Sequence, residues 1–307
     1  MKYIHPIGIG ANIFGYSTNL NQTKNILSMS SHYGINFIDT ADVYSENLSE
    51  EYIGKIINLK QFKDKFYIST KAGLLPGESP DGKYTNDYLV KKVNASLKRI
   101  KKERIDFYLL HKFDNKNNLI EIMNTLQNLC NDGKIKYFGF SNLTKKEYSI
   151  IKKNKKYFKN YNYNQSLYNI FCQENIPIIK DCKKKNIFST TYGALLRGIL
   201  TEKYLTKKIS KKSRFFKSEK VKKHLSIQMI NFLQELKTEL IKYKMNIAQF
   251  AIYSAINNGS QTTIVGMRNL LQVKNICNNF NLNQLNNAKK IKIKLDKKIT
   301  SFKISYY

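Results

Sequence analysis

The stretch Ile35-Asn36-Phe37-Ile38-Asp39-Thr40-Ala41-Asp42-Val43-Tyr44 opens as an apolar run of strand length and ends in a carboxylate, followed five residues later by a phenol. A buried strand handing over to a loop that carries ionisable groups reads this way. Two later stretches repeat the pattern. Phe66-Tyr67-Ile68-Ser69-Thr70-Lys71 finishes on a lysine, and Ile105-Asp106-Phe107-Tyr108-Leu109-Leu110-His111 finishes on a histidine. Three apolar strands, each delivering an ionisable residue at its carboxyl end, predict a parallel α/β barrel with its site on that face.

The flanking sequence fits the same plan. Ile7-Gly8-Ile9-Gly10 reads as a short first strand into a glycine-bearing loop, and residues 21–33 as a helix opening on a capping Asn21. Residues 49–58 read as a helix that begins with Ser49, Glu50 and Glu51, suitable for an amino end. The stretch 73–82, rich in Gly and Pro, is a loop long enough to overhang a site. Leu89, Val93, Leu97 and Ile100 have helical spacing within 85–100. Helices at 119–130, 145–153 and 176–185 then alternate with strands at 137–142, 161–168 and 187–192, and an eighth strand falls at 262–265. Strict alternation implies a parallel sheet with right-handed crossovers, and eight repeats favour closure into a (β/α)8 TIM barrel, here a single domain over 1–307. The lysine-rich region 203–223 interrupts the plan as an irregular flap. Helices follow at 226–244 and 247–257, and the tail 282–307 carries a lysine-dense amphipathic helix.

Composition narrows the class. A chain of 307 residues can bury a barrel core without help. Cys130, Cys172, Cys182 and Cys277 show no CxxC spacing, which argues for a reducing cytoplasmic setting and against a disulfide frame or a zinc site. No amino-terminal apolar core suggests a signal peptide, and no window has the roughly 20 apolar residues of a membrane span. The net charge of +31 attracts polyanions regardless of fold. Only five of the 53 basic residues are arginine, however, and the lysines are scattered over every helix, so solvated helix faces account for the charge better than nucleic-acid binding does.

If Asp39, Tyr44, Lys71 and His111 meet at the barrel mouth, their chemistry is readable. A tyrosine has a free pKa near 10 and is alone a poor proton donor at neutral pH. An adjacent ammonium stabilises the phenolate, and a carboxylate keeps that ammonium charged and in place. A histidine beside the pair can orient a carbonyl oxygen or share the proton. The set suits protonation of a carbonyl as hydride arrives from a cofactor, with no metal. Each residue has a plainer explanation as helix cap, surface lysine, loop filler or core histidine. Their joint placement at three successive strand ends favours the site.

At this point the sequence resembles the aldo-keto reductase superfamily over almost its whole length. Asp39-Thr40-Ala41-Asp42-Val43-Tyr44 with Ser49-Glu50-Glu51-Tyr52-Ile53-Gly54, Ser69-Thr70-Lys71, and the run ending at His111 are similar to the family's signature motifs in order and spacing. The resemblance implies that Tyr44 is the acid, that Lys71 and Asp39 tune it, and that His111 positions the carbonyl. It implies that Ser141, Asn142 and Gln165 hold the nicotinamide amide and that Tyr192 stacks on the ring. Residues 193–204, with Leu195, Gly198 and Lys203, resemble the pyrophosphate-side loop, with Arg214 beyond it. Gly266, Arg268 and Gln272 resemble the adenosine-phosphate segment, where Arg268 would pair with a 2′-phosphate and favour NADPH. Gly193-Ala194 stands where the family often has Ser-Pro, and Asn275-Ile276 where it often has Glu-Asn. No GxGxxG follows a strand, which leaves a Rossmann reading without support.

The resemblance predicts an NADPH-dependent reductase of aldehydes or ketones. The potassium-channel β subunits, regulatory proteins that resemble this chain, typically have Asn where His111 stands, so His111 favours a working enzyme. The substrate loops, 74–84, 112–114 and the region of Arg214 and Phe215, name no ligand. Lys112 beside His111 would attract an anionic carbonyl substrate.

Overall fold

The computed structural model describes residues 3–75, 79–80, 84–113, 118–205, 216 and 218–306. Eight parallel strands close into a barrel: β1 Ile7–Gly10, β2 Phe37–Asp39, β3 Tyr67–Ala72, β4 Ile105–Leu110, β5 Ile135–Ser141, β6 Tyr161–Leu167, β7 Phe188–Tyr192 and β8 Thr262–Val265. Each strand pairs with its neighbours in sequence, and β8 closes on β1, with Ile9 opposite Val265. The eight strands and the barrel expected from the alternation are therefore present. Beyond β3, Leu74–Leu75 pairs antiparallel with Ser79–Pro80 in the predicted loop.

The inward positions explain how the barrel carries its site. Side chains repeat every two residues along a strand, so a strand that points a residue inward points its second neighbour inward as well. Phe37, Phe107, Tyr163 and Ile264, from the even-numbered strands, form one buried cluster with Phe188 and, one step higher on β4, Leu109. The ring centroids of Phe107 lie 5.0 Å from Tyr163 and 5.2 Å from Phe188. Two residues further along the same strands stand Asp39 and Gln165, and four further along from Phe107 and Phe188 stand His111 and Tyr192. The aromatic layer is thus the apolar floor on which a polar layer rests. β5 and β6 approach so closely, at the irregularity after Phe138, that a Cβ on Gly139 would fall 2.0 Å from the carbonyl oxygen of Tyr163. That position admits only glycine.

Helix boundaries differ from the sequence reading at two informative places. The first helix is α1 Leu20–His32, and its cap is Asn19 rather than Asn21. Gln22 decides this: its backbone N–H donates to Asn19 Oδ1 at 2.9 Å while its side chain accepts from the Asn19 N–H at 3.0 Å, a reciprocal box. The second helix is α2 Leu48–Ile57, so Ser49 lies inside it and is no cap. Ser49 is buried and donates to the carbonyl of Ala11 at 2.9 Å, pinning α2 to the loop after β1. The helix α3 Asn86–Ile100 is capped by Thr85 and buries Leu89, Val93 and Ile100 as its spacing predicts. Of the predicted flap, a single turn at Glu202–Tyr204 and a helix at Glu219–His224 are described; 206–215 and 217 lie outside the described residues. The tail helix is divided into Leu285–Lys294 and Asp296–Ser301.

Candidate active site

β2 and β3 are adjacent with Asp39 opposite Ser69, which brings Lys71 beside the carboxyl end of β2. Lys71 is fully buried and Asp39 nearly so; Lys71 Nζ donates to Asp39 Oδ2 at 2.6 Å and to the carbonyl of Thr40 at 2.7 Å. Asp39 Oδ1 accepts two further bonds, from Ser69 Oγ at 3.0 Å and from Gln165 Nε2 at 2.8 Å. The carboxylate, at the end of β2, is therefore fixed from both β3 and β6. Burial pushes the Lys71 ammonium below its ordinary pKa, and the Asp39 charge opposes that shift.

Tyr44 reaches over this pair on the loop after β2. Its ring centroid is 5.3 Å from Lys71 Nζ and 5.8 Å from the His111 ring, which meets it edge to face at 79°. The four residues read from three strand ends therefore meet. Directly after Tyr44, Ser45, Glu46 and Asn47 all have left-handed backbone, φ +51°, +53° and +74°. Non-glycine residues adopt that conformation at a cost of about 1–2 kcal/mol each. Ser45 Oγ, donating to the carbonyl of Phe14 at 2.7 Å, is one of the bonds that hold the turn.

His111 is buried, and its Nδ1 has no partner. Burial, followed by repulsion from Lys71, depresses its pKa well below the usual value, so the ring is neutral at pH 7. It can orient a carbonyl oxygen as a neutral imidazole, which is the first of the two roles the sequence suggested. As pH falls through about 6.5 the unfolded chain's histidine takes up a proton that the folded one refuses, so this group's contribution to stability is lost by at most about 1.4 kcal/mol per pH unit. Denaturant unfolding from pH 7.5 to 5 should therefore fall more steeply for the wild type than for His111→Gln, and equal slopes would contradict the assignment.

Asp39, Tyr44 and His111 line a cavity of about 1170 Å³ that also reaches Ser141, Asn142, Gln165, Tyr192, Leu195, Gly198, Lys203, Gly266, Arg268 and Gln272. The sequence-derived binding residues are thus gathered along one groove, with Arg214 the exception because it lies outside the described residues. Leu74 and Lys112 also line it, while Asp114 and Phe215 are outside the described residues. Asn142, at φ +61°, donates to the carbonyl of His111 at 3.0 Å and accepts from the Tyr192 hydroxyl at 2.5 Å, so the aromatic ring is tied to the end of the groove that holds His111. Gln272 Oε1 accepts from the backbone N–H of Arg268 at 2.8 Å, and Asn269 caps the helix Leu270–Cys277 that follows.

Two contributions escaped the sequence reading. Gln165 anchors Asp39 across the barrel, a role beyond the nicotinamide contact that the resemblance implies. Arg197 and Tyr306 also line the groove. Arg197 stands inside the stretch 193–204 that resembles the pyrophosphate-side loop, whereas nothing local to Tyr306 signals its place.

Comparison with known proteins fits this geometry. The model of the aldo/keto reductase family matches residues 6–294. Relatives include the uncharacterized oxidoreductase YqkF of Bacillus subtilis, 30% identical over 210 residues, which are 66% of this chain and 64% of that protein. The aldo-keto reductase yakc of Schizosaccharomyces pombe, named for NADP(+), is 28% identical over 58% of this chain and 54% of its own length. The chain thus spans less than two-thirds of the length of these relatives. Among solved structures, the glycerol dehydrogenase of Gluconobacter oxydans superposes with a TM-score of 0.82 over 99% of this chain and 95% of that one, at 23% identity, a likeness of fold. The match across nearly all of the chain establishes that it belongs to the aldo/keto reductase family.

Proposed function

We propose that the protein reduces an aldehyde or ketone to an alcohol with NADPH, Tyr44 acting as general acid. One observation carries the reading: the buried Lys71–Asp39 pair lies beneath Tyr44, with His111 against its ring, in a groove that continues to Arg268.

The residues present fit a dinucleotide. The groove is roomy, and the buried Arg197 Nε on its wall has no acceptor of its own. Ser141, Asn142 and Gln165 would hold the nicotinamide amide and Tyr192 its ring; Leu195, Gly198 and Lys203, with Arg214, would flank the pyrophosphate; Gly266, Arg268 and Gln272 would take the adenosine phosphate. Bound there, NADPH would supply the hydride that no side chain can. Tyr44 gives its proton to the carbonyl oxygen, and Lys71 stabilises the phenolate left behind. Asp39 compensates the lysine's charge, and His111 orients the carbonyl oxygen. Gln165 bonds Asp39 directly and so ties the cofactor side of the groove to the proton donor.

The test is NADPH oxidation with a panel of aldehydes and ketones. Turnover supports the reading. Tight NADPH binding without turnover on any of them would favour a regulatory role like that of the potassium-channel β subunits, and no NADPH binding would overturn both. Arg268→Ala is expected to weaken NADPH binding roughly 10- to 100-fold while changing NADH binding less than about threefold, since a charge-assisted bond to the 2′-phosphate is lost. Equal losses for the two cofactors would remove the preference for NADPH. We also read the chain as a single cytoplasmic domain. All four cysteines are free, and among the described residues no helix is long and apolar enough to cross a membrane.

A further inference from the structure

The last described residues, 302–306, run without regular structure from the helix Asp296–Ser301 back to the groove. Three successive carbonyls of this tail accept bonds from three distant parts of the chain. Cys172 Sγ donates to Ile304 O at 3.7 Å, His224 Nε2 to Ser305 O at 3.0 Å, and Arg197 Nη2 to Tyr306 O at 3.1 Å. Phe302 anchors the tail's start between Phe171 and Phe232, with ring centroids 5.2 and 5.4 Å away. The path ends with the Tyr306 ring in the cavity wall, edge to face with Tyr192 at 5.9 Å and 4.7 Å from the centre of the Arg197 guanidinium. It lies so close to the chain after β7 that a Cβ on Gly193, at φ +77°, would meet it at 2.9 Å.

Arg197 is presented to this ring by a strained turn. Leu196, Arg197 and Gly198 have φ of +44°, +54° and +93°, and only the last is free of the steric cost of a left-handed backbone. The fork is then used incompletely: Nη2 is bonded to the tail, the guanidinium face is stacked, and the buried Nε–H has no acceptor. An arginine that served only to pin the tail would not need a buried donor left over beside a groove. A phosphate oxygen is the acceptor best matched to that donor.

We propose that Arg197 and Tyr306 form a clasp on the dinucleotide. Arg197 donates Nε–H to a phosphate oxygen, and Tyr306, through its ring and its carbonyl, holds the fork in that orientation. The C-terminal tail thereby sets how fast the cofactor leaves. The inference rests on the cofactor assignment made above.

Stopped-flow release of NADPH, followed by its fluorescence, tests it. Tyr306→Ala should speed release about tenfold, the amount expected when a partly desolvated cation–π contact is removed. Tyr306→Phe keeps the face and should stay within about twofold of the wild type. Tyr306→Leu keeps the bulk without the face and should match Tyr306→Ala, which separates the clasp from simple loss of packing. Arg197→Lys should speed release at least as much as Tyr306→Ala. Because the two residues act as one unit, the double variant should be no faster than Arg197→Lys alone. Release unchanged or slowed in Tyr306→Ala and Tyr306→Leu overturns the clasp, as does a double variant whose effect is the product of the singles. Absence of NADPH binding by the wild type overturns the cofactor assignment and the clasp with it, and is recognised before any variant is made.

Discussion

Tyr44→Phe is expected to lower kcat by about 10²- to 10⁴-fold, the usual contribution of a positioned general acid, while NADPH binding stays within about threefold of the wild type. The substitution removes one hydroxyl and keeps the ring that packs edge to face on His111 and lies over Lys71. What is lost is therefore the proton and not the shape of the site. The chain has 21 tyrosines, and several are buried more deeply than this one. Tyr163 illustrates the contrast: it sits in the aromatic floor, bonded to Thr190, and burial raises its pKa beyond any use as an acid at neutral pH. Tyr44 instead stands at the cavity with an ammonium below it. Single-turnover rates alongside equilibrium binding of NADPH would check the split. Retention of kcat in Tyr44→Phe would move the proton donor elsewhere, and a matched loss of binding would make Tyr44 a cofactor contact.

The barrel and the gathering of Asp39, Tyr44, Lys71 and His111 were legible because both rest on local regularities. Strand periodicity places Phe37 and Asp39, or Tyr163 and Gln165, on one face whatever the rest of the chain does. Closure of eight parallel strands then gathers their carboxyl ends. Pairings between distant residues have no such periodicity behind them. Gln165 bonds Asp39 across 126 positions, and a glutamine's amide has nothing in its own neighbourhood to say which carboxylate it will find. Tyr306 and Arg197, separated by 109 positions, meet because the tail is routed back over the groove, and that route depends on carbonyls held one by one by Cys172, His224 and Arg197. The misplaced cap has a different cause. Asn19 and Asn21 are both eligible residues, and only the reciprocal bonds with Gln22 choose between them. Ser49 looks like a cap and serves instead as a tie to Ala11, because its hydroxyl is buried with a carbonyl in reach.

The second large effect concerns the charge pair itself. Lys71→Met is expected to destabilise the fold by about 3–5 kcal/mol, because it leaves the Asp39 carboxylate in the interior without its counter-charge. Ser69 and Gln165 still donate to Oδ1, yet two neutral donors do not replace an ammonium 2.6 Å from Oδ2. Adding Asp39→Asn removes the stranded charge and keeps an amide oxygen for those same donors. The double variant should therefore recover most of the lost stability, since a buried ion pair exchanged for neutral groups of similar size is often tolerated. Urea unfolding of the two single variants and the double one measures the coupling. Losses that simply add would mean that Lys71 is held by packing rather than by Asp39. Recovery of stability without recovery of turnover is the expected outcome, and it separates what the pair does for the fold from what it does for Tyr44: the neutral pair can fill the space but offers no positive charge to the phenolate.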